Sequence, residues 1–262
     1  MDVKSSKPQV VLTIAGFDPS SGAGITADLT TFRSHGCFGI ACITALTVQN
    51  TQVVAKYQSI EPNLVTDTLE SLQSDFQISA VKIGMLGTRE ITERVIDFLS
   101  HNRSGPIVLD PVLVSSSGKN LLDEQGITMM KQKLLPLVDV ITPNLLETEL
   151  LTGRKLTADM DWYSAAKDLK SMGAGNVVIT GGHRSDNSDF VLLGDHTEEW
   201  ITGERIDSTS THGTGCVFSS SIACNLLKNH DLVECVSRAK KFIYEAIIQA
   251  PDLGHGLGPM YQ

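Results

Sequence analysis

Val10-Val11-Leu12-Thr13-Ile14-Ala15-Gly16-Phe17-Asp18 runs directly into Pro19-Ser20-Ser21-Gly22-Ala23-Gly24 and then into Ile25 to Ser34, where apolar residues fall at helical spacing. A β-branched run, a glycine-rich turn and an amphipathic stretch make a strand–loop–helix unit. The unit recurs along the chain. Ile40 to Val48, Ala80-Val81-Lys82-Ile83, Ile107-Val108-Leu109, Val138-Asp139-Val140-Ile141 and Val177-Val178-Ile179 read as mostly buried strands. Leu64 to Phe76, Glu90 to Leu99, Gln125 to Leu135 and Tyr163 to Met172 read as the helices between them. This alternation predicts an α/β fold with a largely parallel central sheet flanked by helices. Phe190-Val191-Leu192-Leu193 and Trp200-Ile201, separated by Gly194-Asp195-His196, predict a short antiparallel hairpin at one sheet edge. Val217 to Leu227 and Leu232 to Ile248 predict two closing helices. No repeat or linker breaks the pattern, so residues 1–262 are expected to form one domain.

The 262 residues are 41% hydrophobic and 19% charged, enough apolar chain for a sizeable core and too much for a disordered state. A net charge of −9 offers no broad basic surface to a phosphate backbone, so nucleic acid is not expected as a partner. No apolar run approaches the roughly 20 residues of a membrane helix, and the polar start Met1-Asp2-Val3-Lys4 lacks a secretion signal. A soluble, cytoplasmic protein is expected. Five cysteines without a C-x-x-C pair argue against a disulfide scaffold or structural zinc, and Cys37, Cys42, Cys224 and Cys235 read as small apolar residues.

In open α/β sheets ligands lie beyond the carboxyl ends of the strands. The residues there are Gly16 and Asp18, Gln49, Gly84-Met85, Asp110, Asn144 and Thr180-Gly181-Gly182. A sharper element is Thr211-His212-Gly213-Thr214-Gly215-Cys216, which opens the helical pattern at Val217. Glycines at a helix start let backbone N–H groups converge on an anion, and the same field favours a thiolate at Cys216. The alternative is an ordinary turn with Cys216 packed. Residues 15–24 resemble a nucleotide loop but supply neither Gly-Lys-Ser/Thr nor G-x-G-x-x-G. Asp28, one turn into the first helix, is placed either to reach a polar ligand or to complement the helix dipole. Asn144 and Glu147 have capping-box spacing; alternatively Glu147, with Asp110, holds Mg²⁺ through water. Ser115-Ser116-Ser117-Gly118-Lys119 forms either a lid or a plain surface loop. His183 and His212 stand beside glycines and receive no catalytic role.

Taken in order, AGFDPSSGAGITAD (15–28), ITALTVQNT (43–51), VKIGML (81–86), VLDPV (108–112), TPNLLETELL (142–151), TGGH (180–183) and THGTGC (211–216) resemble the phosphomethylpyrimidine kinases, also called hydroxymethylpyrimidine kinases, of the ribokinase-like superfamily. The likeness continues to Gly256-Leu257-Gly258-Pro259 and so covers nearly the whole chain. It implies a ribokinase-like fold, a homodimer, and ATP- and Mg²⁺-dependent phosphorylation of 4-amino-5-hydroxymethyl-2-methylpyrimidine and its monophosphate in thiamin synthesis. By position it implies that Asp28 and Gln49 recognise the aminopyrimidine edge, with Gly16, Met85 and Val112 lining the pocket. It makes Cys216 the catalytic base and Gly213, Thr214 and Gly215 the anion hole. Asp110, Asn144 and Thr180 fall on the ATP side, with Glu147 and Asp110 toward Mg²⁺. Three positions depart from the family: Thr180 replaces a lysine, Ser115-Ser116 replaces Ala-Lys or Cys-Lys in the lid, and Ser21 replaces a glycine. A pyridoxal or pyridoxine kinase is the alternative, and a weakly catalytic nucleotide- or vitamin-binding protein is the alternative of another class.

Overall fold

Alternation within single strands decides which helices cover which face of the sheet. The computed structural model describes residues 7–262 except 116, 183, 185, 205 and 207. Its strands are β1 (Val10–Phe17), β2 (Phe38–Gln49), β3 (Val54–Ser59), β4 (Ile78–Ile83), β5 (Ile107–Leu109), β6 (Val140–Ile141), β7 (Asn176–Ile179), β8 (Asp189–Leu192) and β9 (Glu198–Ile201). The helices are α1 (Gly24–Ser34), α2 (Pro62–Asp75), α3 (Arg89–His101), α4 (Glu124–Met129), α5 (Leu145–Thr152), α6 (Asp159–Ser171), α7 (Thr214–Leu226) and α8 (Leu232–Ile248).

The nine strands form one sheet in the order β3-β2-β1-β4-β5-β6-β7-β8-β9. Pairings from β2 through β7 are parallel, whereas β3, β8 and β9 are antiparallel at the two edges. The predicted parallel sheet with an edge hairpin is therefore observed. On β5 and β7, Ile107, Leu109, Val177 and Ile179 face the core under α2, α3, α5 and α6. Val108 and Val178 point the other way, onto α7 and α8. Chain direction reverses about β1, since β2 and β4 flank it, and the crevice at such a switch point is where ligands bind.

Two elements were absent from the sequence reading. β3 is an edge strand whose exposed Lys56 interrupts the apolar pattern, and α5 is only 8 residues long. The helix expected over 125–135 is α4 continued by a π turn (Met130–Leu134) and a 3-10 turn closed at Pro136. Proline there withholds the N–H that a regular helix needs.

The face beneath α1 and α7 carries charge at its centre. Thr13 and Lys82 are paired neighbours on β1 and β4, and both side chains are fully buried. Lys82 Nζ lies 2.9 and 3.0 Å from the two Asp28 oxygens. Asp28 also accepts from Thr13 Oγ1 (2.6 Å) and from Ser220 Oγ of α7 (2.8 Å). One carboxylate thus joins two strands and two helices. Removing one member of a buried pair leaves an uncompensated charge at a cost of about 3–5 kcal/mol, whereas replacing both with apolar groups costs far less. Lys82→Met should therefore lower stability by about 3–5 kcal/mol, and the double variant Lys82→Met/Asp28→Leu should recover part of that loss in urea titrations.

Candidate active site

Of the residues expected at the strand ends, Gly16, Gln49 and Gly84-Met85 stand at the switch point, on β1 and its two neighbours. Gly84 N–H donates to Ile14 O at 2.9 Å, and a Cβ on Gly16 would come within 3.0 Å of Met85 Sδ. Met85 packs in a small cluster with Ala45, Val54, Leu121 and the half-buried Val112. Gly16, Met85 and Val112 therefore stand close together at this strand end. Gln49, at the end of β2, reaches to 3.0 Å from His212. Asp28 is buried and paired with Lys82, a partner that neither sequence reading of this carboxylate foresaw.

α7 begins three residues earlier than the apolar pattern suggested, at Thr214. Gly213 caps it with a φ of 82°, and a Cβ there would sit 1.8 Å from Gly22 O. No other residue satisfies both demands. Cys216 sits in the first turn, and its sulfur accepts from Gly24 N–H, the first residue of α1, at 3.4 Å. Two helix N-termini converge on this thiol. First-turn N–H groups have no partner inside their own helix, which makes this corner the most electropositive backbone surface of the site.

The expectation of a depressed thiol pKa is overturned. Burial pushes Cys216 up to about 12; Lys82 opposes the rise, while Asp110 and Asp28 add to it. Asp110, at the end of β5, lies under Gly215, 3.6 Å from where a Cβ would stand. Burial pushes its carboxyl up to about 6, with Lys82 pulling down and Asp28 pushing up. Glu147 completes a capping box with Asn144, each side chain bonding the other's backbone N–H at 2.9 Å. Burial raises Glu147 to about 8, and the nearby Asp110 raises it further. Capping and proximity to Asp110 are thus both present. Two buried carboxyl groups that resist ionising together form a hard-oxygen donor set suited to Mg²⁺. Among the described residues no group of three His, Cys, Asp or Glu could hold a metal, so most of such a cation's ligands would be water and phosphate.

Thr180 N–H donates to Pro143 O, bridging β7 to Asn144. It opens on a cavity of about 220 Å³ that also holds Arg184 and Trp162. Arg184 does not replace the missing lysine charge. It is paired with Asp159 (2.6 Å) and Asp186 (3.0 Å) and stacked on Trp200. In the expected lid, Val114 bridges Asn120, and Lys119 Nζ donates to Ala55 O on β3 at 2.6 Å. Ser116 and His183 lie outside the described residues.

Sequence reasoning noticed Asp18 and His212 without joining them, and it missed Lys82 as a charge. His212 Nε2 is 2.8 Å from Asp18 Oδ2. Asp18 further accepts from Ser20 N–H, Ser20 Oγ and Ala23 N–H. Burial favours the neutral acid, but the bonds from His212 and Ser20 prevail and hold the carboxyl below its ordinary range. The segment is braced by a strap near the chain's end: His212 N–H donates to Gly258 O, and Gly256 N–H donates to Thr51 Oγ1 beside β2.

The phosphomethylpyrimidine kinase family model matches residues 18–261. The chain belongs to this family. The hydroxymethylpyrimidine/phosphomethylpyrimidine kinase of Haemophilus influenzae is 45% identical over 259 residues, 97% of this chain and 96% of that one. Among solved structures, phosphomethylpyrimidine kinase from Clostridium difficile is 33% identical with a TM-score of 0.80, covering 91% of this chain and 99% of that chain. The ADP complex of Bacillus subtilis pyridoxal kinase is 32% identical with a TM-score of 0.87, covering 97% of each chain. The chain is thus a kinase of ribokinase-like fold. No described helix is long and apolar enough to cross a membrane.

Ser21, which stands where the family has glycine, has a φ of 62°. A side chain in that conformation costs roughly 1–2 kcal/mol, partly offset by the lower unfolded-state entropy of serine. Ser21→Gly should therefore stabilise the protein by roughly 0.5–1 kcal/mol in urea titrations. Between the ordinary value of 4.5 and about 8, Glu147 keeps its proton only when folded. The folded state then binds more protons than the unfolded one, so the stability of the ligand-free protein should fall as pH rises through that window. Glu147→Gln should flatten this part of the curve in denaturation measured from pH 4 to about 9.

Proposed function

We propose that this chain transfers the γ-phosphoryl group of ATP to the hydroxymethyl group of 4-amino-5-hydroxymethyl-2-methylpyrimidine and then to the resulting monophosphate, a step of thiamin synthesis. The observation that carries the reading is the meeting of two helix N-termini at Cys216; the group of Gly16, Met85 and Val112, with Gln49, is read as the hollow that takes the substrate ring. Gln49 offers a donor and an acceptor in one plane, the complement of an aminopyrimidine edge. The whole chain acts as one kinase unit, as a cytoplasmic homodimer.

Phosphoryl transfer proceeds through a loose transition state, so positioning and charge stabilisation outweigh base strength. Cys216 acts as its thiolate: it orients the substrate hydroxyl toward the phosphoryl group and takes the hydroxyl proton late, when bonding to phosphorus has made the oxygen acidic, and the burial that raises the thiol's pKa makes that thiolate the stronger base. Gly213, Thr214 and Gly215 present backbone N–H groups to the moving phosphoryl oxygens. Asn144 and Thr180 border the nucleotide, with the Thr180 hydroxyl replacing a cation by a weaker hydrogen bond. Asp110 and Glu147 would hold Mg²⁺ through water, and the cation would supply charge neutralisation to the nucleotide's phosphates.

A pyridoxal kinase is the second reading, favoured by the likeness to the Bacillus subtilis enzyme over the whole chain. ADP release should be measured with Mg-ATP and hydroxymethylpyrimidine, its monophosphate, pyridoxal or pyridoxine, with products identified by mass. Diphosphate from the pyrimidine series is the expected outcome. Turnover of a B6 vitamer alone would move the chain to the second reading, and no turnover of any acceptor would favour a binding role. Cys216→Ala should lower kcat about 10²–10⁴-fold while the dissociation constant for ADP stays within about threefold.

A further inference from the structure

His212 Nε2 lies between two groups with opposite demands. Asp18 Oδ2 is 2.8 Å away and Gln49 Nε2 is 3.0 Å away. Asp18 takes four hydrogen bonds and gives none, as an ionised carboxylate does, so it can only accept from the ring. Nε2 therefore carries a hydrogen, in the neutral ring and in the imidazolium alike. An N–H cannot accept from an amide N–H₂, so Gln49 must turn its oxygen toward His212. Thr47 makes the same demand independently. Its one hydroxyl hydrogen goes to Phe17 O at 3.0 Å, leaving only lone pairs for the end of the Gln49 amide that lies 3.4 Å away. With Oε1 at His212 and Nε2 at Thr47, a half-turn of the amide removes the clash of donors at His212, whose single Nε2–H points to Asp18 and is shared with Oε1, and gives Thr47 an N–H donor, with no other movement. The imidazole itself has no freedom to compensate. A Cβ on Gly22 would come within 2.2 Å of its Cδ2, and the His212 backbone is tied to the strap at Gly258.

We infer that Asp18 and His212 are positioning residues that fix the polarity of the Gln49 amide and thereby the direction in which a planar amino-substituted diazine lies in the hollow. This inference rests on the aminopyrimidine reading above. The free lone pair of Oε1 takes the exocyclic amine on the His212 side, and the free hydrogen of Nε2 meets the ring nitrogen on the Thr47 side. In such a ring the hydroxymethyl carbon neighbours the amine-bearing carbon on the side away from that nitrogen. The fixed amide thus directs the reacting arm toward His212 and the Gly213–Cys216 turn that follows it. The opposite amide polarity would select the 4-oxo ring, whose N–H and carbonyl present the reverse order.

Nitrogen-15 NMR of the labelled, ligand-free protein gives the test that is independent of substrate. A hydrogen on His212 Nε2, together with Gln49 amide protons close to Thr47, is expected. A bare Nε2 with hydrogen on Nδ1 alone overturns the inference. The kinetic arm compares kcat/KM for the 4-amino ring and for its 4-oxo counterpart in the wild type, His212→Leu and Asp18→Asn. The wild type should prefer the amino ring by about 100-fold, and each variant should reduce that ratio about tenfold or more. General damage to the fold lowers both rates together, so an unchanged ratio in both variants overturns the inference. No turnover of either ring overturns the functional reading, and the NMR result alone then decides the polarity of the amide.

Discussion

A lysine and an aspartate buried where the sheet meets two helices set the terms for everything around them. Lys82 projects from a central strand into a space with no water, and Asp28 answers it from α1. Ser220 and Thr13 then fill the remaining acceptor positions of the carboxylate. Such a pair adds little net stability, because desolvation consumes most of the attraction between the charges. Its effect here is geometric. The hydrogen bond from Ser220 holds α7 at one height against the sheet, and the start of α7 is the glycine turn ending at Cys216.

The same cation shapes the field in which the reactive groups sit. Asp110 and Glu147 are buried and Cys216 is half-buried, and desolvation shifts each toward its neutral form. Lys82 works against that shift at Asp110 and Cys216. The outcome is a polar pocket that resists holding two negative carboxylates without a further positive charge. In the proposed reaction, a nucleotide arriving with a divalent cation would meet groups that give up protons more readily once that charge is present. The first-turn amides of α1 and α7 provide for the negative end of the same ligand without any titratable group.

Fold class was legible because alternation of β-branched and helical stretches survives even where single elements are short. β3 escaped because Lys56 and the exposed side chains around it suit a sheet edge, not a core strand. At the candidate site, the rule that ligands gather at strand ends picked out Gly16, Gln49, Met85, Asp110, Asn144 and Thr180 from position alone, and the structure places each at or just beyond a strand end. It could not find Lys82, since a lysine in a strand ordinarily marks the solvent face and its partner stands 54 residues away. The pairing of Asp28 was hidden for the same reason: nothing local marks a carboxylate that faces a buried ammonium. The raised pKa of Cys216 was equally hidden, because the helix field is visible in sequence and the depth of burial is not.

The strap from Gly254 to Gln262 carries a consequence for the order in which the protein forms. It joins residues more than 200 positions apart, with Gly256 bonded to Thr51 and Gln262 to Thr31. Contacts of such long separation form late, after the strands between them have paired. The glycine turn that opens α7, tied to this strap through His212 and Gly258, is therefore braced only in the final stage of folding. A partly folded chain can carry most of the sheet before that turn is fixed.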